Sequence, residues 1–134
     1  MFEILPLTPE GMNSYILVAF GGAIGAVMRF GISELLENEP FPQATLLVNM
    51  LGSFLIGVCF AATAQSSLGF EASLFLVTGI LGAFTTMSAF SLETIQMIEH
   101  NMWSSVVPYV LITMLCCPLM ALIGLKLGGN VLPS

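Results

Sequence analysis

Charge is what this sequence has least of. Two basic and eight acidic residues make up only 7% of its 134 positions, whereas a soluble domain carries about 25%. The basic residues, Arg29 and Lys126, are too few to form a phosphate-binding face, which excludes nucleic acid as a partner. The net charge of -6 comes from scattered glutamates. We expect these to be solvated caps at helix ends rather than a surface for a basic protein.

Cysteine and histidine are almost as scarce. Cys59, Cys116 and Cys117 have neither metal-site nor disulfide-framework spacing, so we interpret them as small apolar fillers. The one histidine, His100, falls in a predicted turn and is assigned no metal. No nucleophile, base and orienting group can be assembled from such a chain, so an enzyme is not expected.

Long apolar runs take the place of charge. The chain is 57% hydrophobic, with a mean hydropathy of +0.99. Charged residues are missing from four runs, namely 11–28, 40–70, 72–92 and 100–125. About 20 apolar residues cross a bilayer core as a helix, and these runs are too continuous for barrel strands. The sequence therefore predicts an all-α membrane protein, one domain over 1–134, with four transmembrane helices at roughly 13–35, 43–65, 73–99 and 104–127.

The balance of basic residues gives no single orientation. Arg29 lies toward the loop between helices 1 and 2, and Lys126 lies at the opposite face, at the end of helix 4. Since Lys and Arg near helix ends normally set topology, either another determinant acts here or the chain inserts both ways and pairs with an inverted copy. The small size of the bundle favours the inverted pair. Glu3 and Glu10 precede helix 1 without a basic segment, so we do not expect a cleaved signal peptide.

Helix 1 combines close-packing glycines with an intramembrane cation. Gly21 and Gly25 are four residues apart, a spacing that lets helices approach closely in lipid. Arg29 follows on the same face. A lone arginine at this depth is costly, so it is either an interfacial anchor or a fixed positive charge beside an anion vestibule.

Helix 2 carries a polar stripe at four-residue spacing. Thr45, Asn49, Ser53 and Gly57 recur on one face. The Asn49 amide needs hydrogen-bond partners in lipid. It is either interhelical glue or a donor to an ion, and spacing alone favours glue.

Helix 3 has the most unusual composition. Its middle, residues 79–91, is rich in glycine and hydroxyl side chains rather than leucine or valine. Such a stretch predicts a broken helix whose freed backbone groups line a cavity or bind an ion. Glu93 follows near the end of the span. On helix 4, Thr113 and Cys117 begin another stripe of small residues.

Taken together, three motifs resemble those of one family. They are Gly21-Gly22-x-x-Gly25-x-x-x-Arg29, Thr45-Leu46-x-Val48-Asn49-x-x-Gly52 and Gly79-x-x-Gly82-x-x-Thr85-Thr86-x-Ser88-x-Phe90-Ser91-x-Glu93. In order and spacing, and in the four-helix length, the chain is similar to the Fluc (CrcB) fluoride channels. The resemblance implies an antiparallel dual-topology homodimer in the cell (inner) membrane, with two fluoride pathways near the subunit interface.

The resemblance also implies roles for individual residues. Backbone carbonyls of Gly82 and Thr85 would hold a structural sodium ion at the dimer interface. Arg29 would be the vestibule charge, and Glu93 the end of a polar track. The fluoride pathway would consist of Asn49, Phe90, Met87, Thr45, Ser88, Ser91, Thr113 and Cys117.

Four positions depart from the family pattern. Met87 replaces a pore phenylalanine, and Ala89 replaces a threonine. On helix 4, Thr113 stands where an aromatic residue or histidine is usual, and Cys117 stands where a serine is usual. An aromatic edge can face an anion, whereas a thioether offers only a flexible, polarizable sulfur. A divergent channel, a deliberate variant and one subunit of a heterodimer all fit these changes.

The predicted function is passive, fluoride-selective flow that lowers cytoplasmic fluoride. A small four-helix multidrug exporter is the main alternative, but such proteins use a glutamate inside helix 1, and residues 11–28 have no carboxylate. A non-conducting assembly or lysis protein would leave Asn49 and the helix 3 run unexplained.

Overall fold

A computed structural model describes residues 9–36, 40–65 and 68–131. Glu3 and the predicted loop residues Glu37, Asn38 and Glu39 lie outside this part of the chain. Within it the structure is all-helical, and four segments are long and apolar enough to cross a membrane. The predicted all-α membrane fold is confirmed. The segments are Gly11–Leu36, Gln43–Ala64, Phe70–Glu99 and Trp103–Asn130.

Five helices build the four spans. The first two spans are α1, Pro9–Leu36, and α2, Gln43–Ala64. The third span is divided into α3, residues 70–84, and α4, Met87–Glu99, and the fourth is α5, Trp103–Val131. The predicted spans agree to within about four residues at each end.

The third span is interrupted near its middle, as predicted. α3 begins with the helical turn Phe70–Ser73, widens to π-helical turns over Leu74–Leu81 and closes with Gly82–Phe84. Thr85 (φ -77°, ψ 153°) and Thr86 (φ -152°, ψ 115°) are then extended. π-helical turns are frequent at functional sites, and extended backbone at membrane depth is tolerated only where protein or a water-filled cavity surrounds it.

The spans pack as two parallel pairs. α1 lies along α3, and α2 lies along α5, whereas the sequence neighbours α1 and α2 touch little. Glycines allow the close approach: Gly25 packs directly on the Ile80 carbonyl, and Gly57 packs on the Ala121 carbonyl. In lipid the hydrophobic effect does not drive helices together, because the lipid tails are themselves apolar. Small residues at the crossings let the backbones approach closely enough for van der Waals contact to hold the helices together.

A tight turn joins α4 to α5. Asn101 has φ 57°, in the left-handed region that asparagine tolerates better than most residues. The Met102 N–H donates to the Met97 carbonyl at 2.8 Å, which closes the turn. α5 then runs without interruption through Pro108 and Pro118.

We predict that Gly25→Ala destabilises the protein while Gly22→Ala does not. An added Cβ at Gly25 overlaps the Ile80 carbonyl, so the backbones must separate, at a cost of roughly 1–3 kcal/mol. At Gly22 nothing lies within 4 Å of the added atom, and alanine favours the helix by about 1 kcal/mol. Thermal unfolding in detergent measures both; equal midpoints would contradict the α1–α3 contact.

Candidate functional site

The Asn49 side chain bridges α2 to the break in the third span. Its Oδ1 accepts from the Thr86 N–H at 2.8 Å, and its Nδ2 donates to the Thr86 carbonyl at 3.0 Å. The side chain is only 8% exposed. One amide therefore satisfies both backbone groups of an extended residue, which supports the interpretation as interhelical glue. An amide nitrogen has two hydrogens, so one donor of Asn49 is left over.

Thr86 also starts α4. Its Oγ1 accepts from the Ala89 N–H at 3.1 Å, which is an N-cap hydrogen bond. The positive end of α4 consequently lies at the break, close to Asn49. Helix N-termini favour negative charge nearby.

The break removes the helical hydrogen-bond donors of the two carbonyls that the family resemblance assigns to a sodium ion. In a continuous helix the Gly82 carbonyl would accept from Thr86 N–H, and the Thr85 carbonyl would accept from Ala89 N–H. These N–H groups bond to Asn49 and to the Thr86 hydroxyl instead. Unwound carbonyl oxygens are the type of ligand that holds Na⁺ in membrane proteins. The residues present therefore fit such an ion, although one chain offers only two of the ligands.

Arg29 reaches the same break from α1. Its Nε donates to the Ala83 carbonyl at 3.2 Å, and the side chain is half-buried. This contact satisfies a third carbonyl released at the end of α3 and ties α1 to it. Arg29 lines neither of the two cavities described below, and its predicted vestibule role stays a prediction.

Glu93, in the second turn of α4, is held by two hydroxyls. Thr45 donates to Oε1, and Tyr109 of α5 donates to Oε2, both at 2.6 Å. Short bonds to a carboxylate are the stronger kind. Tyr109 has no exposed surface. Sequence reasoning missed this residue, although Tyr109, Thr113 and Cys117 share four-residue spacing on α5.

Two aromatic rings lie against Tyr109. Phe90 packs on it at 5.1 Å between ring centroids in a tilted arrangement, and Phe41 meets it edge-on at 5.5 Å. Phe90 is buried. The predicted pore phenylalanine therefore belongs to an aromatic group beside the Glu93 cluster.

Two cavities lie along the polar stripes. The first, about 420 Å³, is lined by Thr45 and Glu93 together with residues of the turns, among them Phe41 and His100. The second, about 360 Å³, lies one turn further along α2 and is lined by eight polar or sulfur-bearing side chains. These are Asn49, Ser53, Thr85, Thr86, Met87, Thr113, Met114 and Cys117.

α5 contributes polar groups at both cavities, although Tyr109 itself lines neither. Its hydroxyl binds Glu93 in the first, and Thr113, one turn along α5, lines the second. The Thr113 side chain is 4% exposed, yet its Oγ1 has no hydrogen-bond partner. Buried hydroxyls are normally satisfied, so this one lacks the hydrogen bond that a bound ligand would supply.

Ser88 and Ser91 are exposed and line neither cavity. Ser91 donates to its own helix at the Met87 carbonyl, 2.9 Å away, and Ser88 pairs with the Thr86 hydroxyl at 3.2 Å. A bond back to the local backbone, as Ser91 makes, is common for hydroxyls in helices. The structure thus brings together five of the eight predicted pathway residues with Glu93 in two cavities and places Phe90 beside them. The five are Thr45, Asn49, Met87, Thr113 and Cys117.

Comparison with known proteins identifies the family. The family described as "CrcB-like protein, Camphor Resistance (CrcB)" matches residues 16–125. This chain belongs to the CrcB family. A relative from Thermus thermophilus named "Fluoride-specific ion channel FluC" is 39% identical over 121 residues, 88% of this chain and 97% of the relative. Proteins of the same name from Shewanella frigidimarina and Shewanella baltica are 39% and 40% identical over 119 residues, 87% of this chain and 96% of each.

We predict that Asn49→Ala lowers stability much more than Thr113→Val. The alanine variant leaves the Thr86 N–H and carbonyl without partners, at about 1–3 kcal/mol for each group. Valine at 113 keeps the shape and removes only a hydroxyl that has no protein partner. Thermal unfolding in detergent compares the two; equal losses would mean that Asn49 does not support the break.

Proposed function

We propose that this chain is a passive, fluoride-selective channel that lowers cytoplasmic fluoride. The observation that carries the proposal is the Thr113 hydroxyl, buried and without a partner in a cavity shared with Asn49. The names of the CrcB relatives support fluoride as the ion.

Neutral donors suit this ion. Fluoride is small and strongly hydrated, so a pore must replace its water with close donors and still release the ion. The second cavity offers the Thr113 hydroxyl and the spare Asn49 hydrogen, and no Lys, Arg or His lines it. Without a fixed positive charge, the cavity can dehydrate the ion without trapping it.

The membrane potential gives the direction of flow. About 100 mV, negative inside, favours the exit of one negative charge by about 2.3 kcal/mol.

The cluster of Thr45, Glu93 and Tyr109 lies on the proposed fluoride pathway. Because two hydroxyls bind the Glu93 carboxylate, its negative charge is partly compensated where an anion would pass.

The functional unit in this proposal is an antiparallel dual-topology homodimer in the cell (inner) membrane. Arg29 and Lys126, one toward each face, support insertion in both orientations. A partner subunit can contact only residues that are exposed in the single chain. Small or polar residues that meet this condition at or just after the break are Gly82, Ser88 and Ser91. Gly82 and Thr85 carbonyls from two copies would together hold a sodium ion, which supplies positive charge where the copies meet.

A heterodimer is the second assembly that specific residues favour. Met87, Ala89 and Cys117 depart from the family pattern at the break and the track. In that case a second chain supplies the missing ring and hydroxyl contacts.

Fluoride efflux from liposomes, read with a fluoride electrode, tests the pathway. We expect Thr113→Val to slow efflux at least about tenfold, the equivalent of about 1.4 kcal/mol, whereas Thr113→Ser retains it. Gly22→Ala, whose added Cβ has no other atom of the chain within 4 Å outside its own helix backbone, serves as the control. Asn49→Asp is expected to abolish efflux because a carboxylate repels the ion. Full efflux in both Thr113→Val and Asn49→Asp would remove this cavity from the pathway.

Met87→Phe is predicted to preserve or raise fluoride efflux. Met87 is 61% exposed and borders the second cavity, so a ring there has room and can turn its positive edge toward an anion. The same liposome measurement applies. A collapse of efflux in a folded variant would mean that the pore is adapted to the thioether.

A further inference from the structure

The second cavity has a lining rich in sulfur. Met87 contributes a thioether from the first turn of α4, and Met114 and Cys117 contribute a thioether and a thiol from α5. Residues three apart share a helix face, so Met114 and Cys117 present their side chains to one side. Among the described residues, no group of three or more His, Cys, Asp or Glu side chains could hold a metal. The sulfur set is thus a separate kind of site from a zinc or calcium centre.

Sulfur ligands select soft cations. Thiolate and thioether groups prefer Cu⁺ and similar ions over Mg²⁺ or Ca²⁺. Methionine is flexible enough to adjust to an ion. No Lys, Arg or His lines the cavity, so nothing there repels a cation. The Thr113 hydroxyl on the same wall is buried and has no hydrogen-bond partner, as expected where a bound ion completes the lining.

We propose that Met87, Met114 and Cys117 form a binding site for a soft monovalent cation, Cu⁺ or Ag⁺. On binding, the Cys117 S–H bond breaks and a sulfur–metal bond forms, with the proton released to solvent. The two thioethers donate lone pairs, and the metal keeps its +1 charge, so no oxidant or reductant is needed.

A cation bound here blocks the proposed fluoride pathway. Asn49 and Thr113 line the same cavity of about 360 Å³, so a metal on the three sulfurs occupies the space an anion would cross. This consequence rests on the proposed channel function. The binding site itself does not.

Competition with a Cu⁺ chelator tests the site directly. The purified full-length protein in detergent, kept reduced with ascorbate, is titrated into the Cu⁺ complex of bathocuproine disulfonate. We expect the protein to remove one Cu⁺ per chain. Cys117→Ser is expected to weaken binding at least tenfold, and Met87→Leu and Met114→Leu are expected to weaken it as well. Cys59→Ser and Cys116→Ser are matched controls, because neither thiol lines the cavity, and both should bind as the parent does.

Three binding results would each overturn the site. The first is failure of the protein to take Cu⁺ from the chelator. The second is unchanged binding in Cys117→Ser, and the third is loss of binding in Cys116→Ser. The thermal unfolding midpoint of each variant is measured without metal. A variant that unfolds at the parent's midpoint but binds Cu⁺ more weakly has lost a ligand, not its fold.

Silver block of efflux tests the consequence. In nitrate medium, which avoids silver chloride, Ag⁺ is expected to stop fluoride efflux by the parent protein, and Cys117→Ser is expected to resist it relative to its own metal-free rate. If the metal binds but fluoride efflux continues, the metal site and the fluoride pathway do not share this cavity. Cu⁺ binding by a protein with no metal-free fluoride efflux would overturn the channel proposal and leave the metal site standing.

Discussion

The pair of hydrogen bonds between Asn49 and Thr86 is the interaction on which the rest of the site depends. An extended residue at membrane depth exposes an N–H and a carbonyl that lipid cannot satisfy, and a single amide satisfies both. With those groups paired, the third span can end one helix and begin another at its middle. The break in turn places the α4 N-terminus, the freed carbonyls of Gly82 and Thr85, and the cavity beside Thr113 at one level.

The parallel pairing of alternate spans makes this arrangement possible. Gly25 on the Ile80 carbonyl brings α1 and α3 together, and Gly57 on the Ala121 carbonyl does the same for α2 and α5. α4 then lies between the polar faces of α2 and α5, where Glu93 receives Thr45 from one and Tyr109 from the other. Arg29 of α1 adds one more hydrogen bond at the break, to the Ala83 carbonyl. Polar side chains thus line two cavities in a molecule that exposes many large apolar side chains.

Much of this could be predicted from the sequence, for identifiable physical reasons. The spans follow from charge-free length, the break from a run of glycine and hydroxyls, and the importance of Asn49 from the cost of an amide in lipid. Tyr109 was not predicted because an aromatic residue in an apolar helix cannot be distinguished from an ordinary core residue in the sequence. Only its contact with Glu93 shows its polar role. Nor could spacing reveal that Arg29 bonds to Ala83, 54 positions away, or that Ser91 bonds to its own helix. Those partners depend on helix rotation, which a four-residue stripe does not fix.

Neutral donors beside the break are proposed to let fluoride pass and to exclude larger, less strongly hydrated anions such as chloride. The most direct measurement compares fluoride and chloride efflux from liposomes that contain the unmodified protein alone, with ion-specific electrodes under the same potassium gradient. We predict rapid fluoride efflux and chloride efflux no faster than from protein-free liposomes. Equal efflux of the two anions, or no fluoride efflux from a folded dimer, would contradict it.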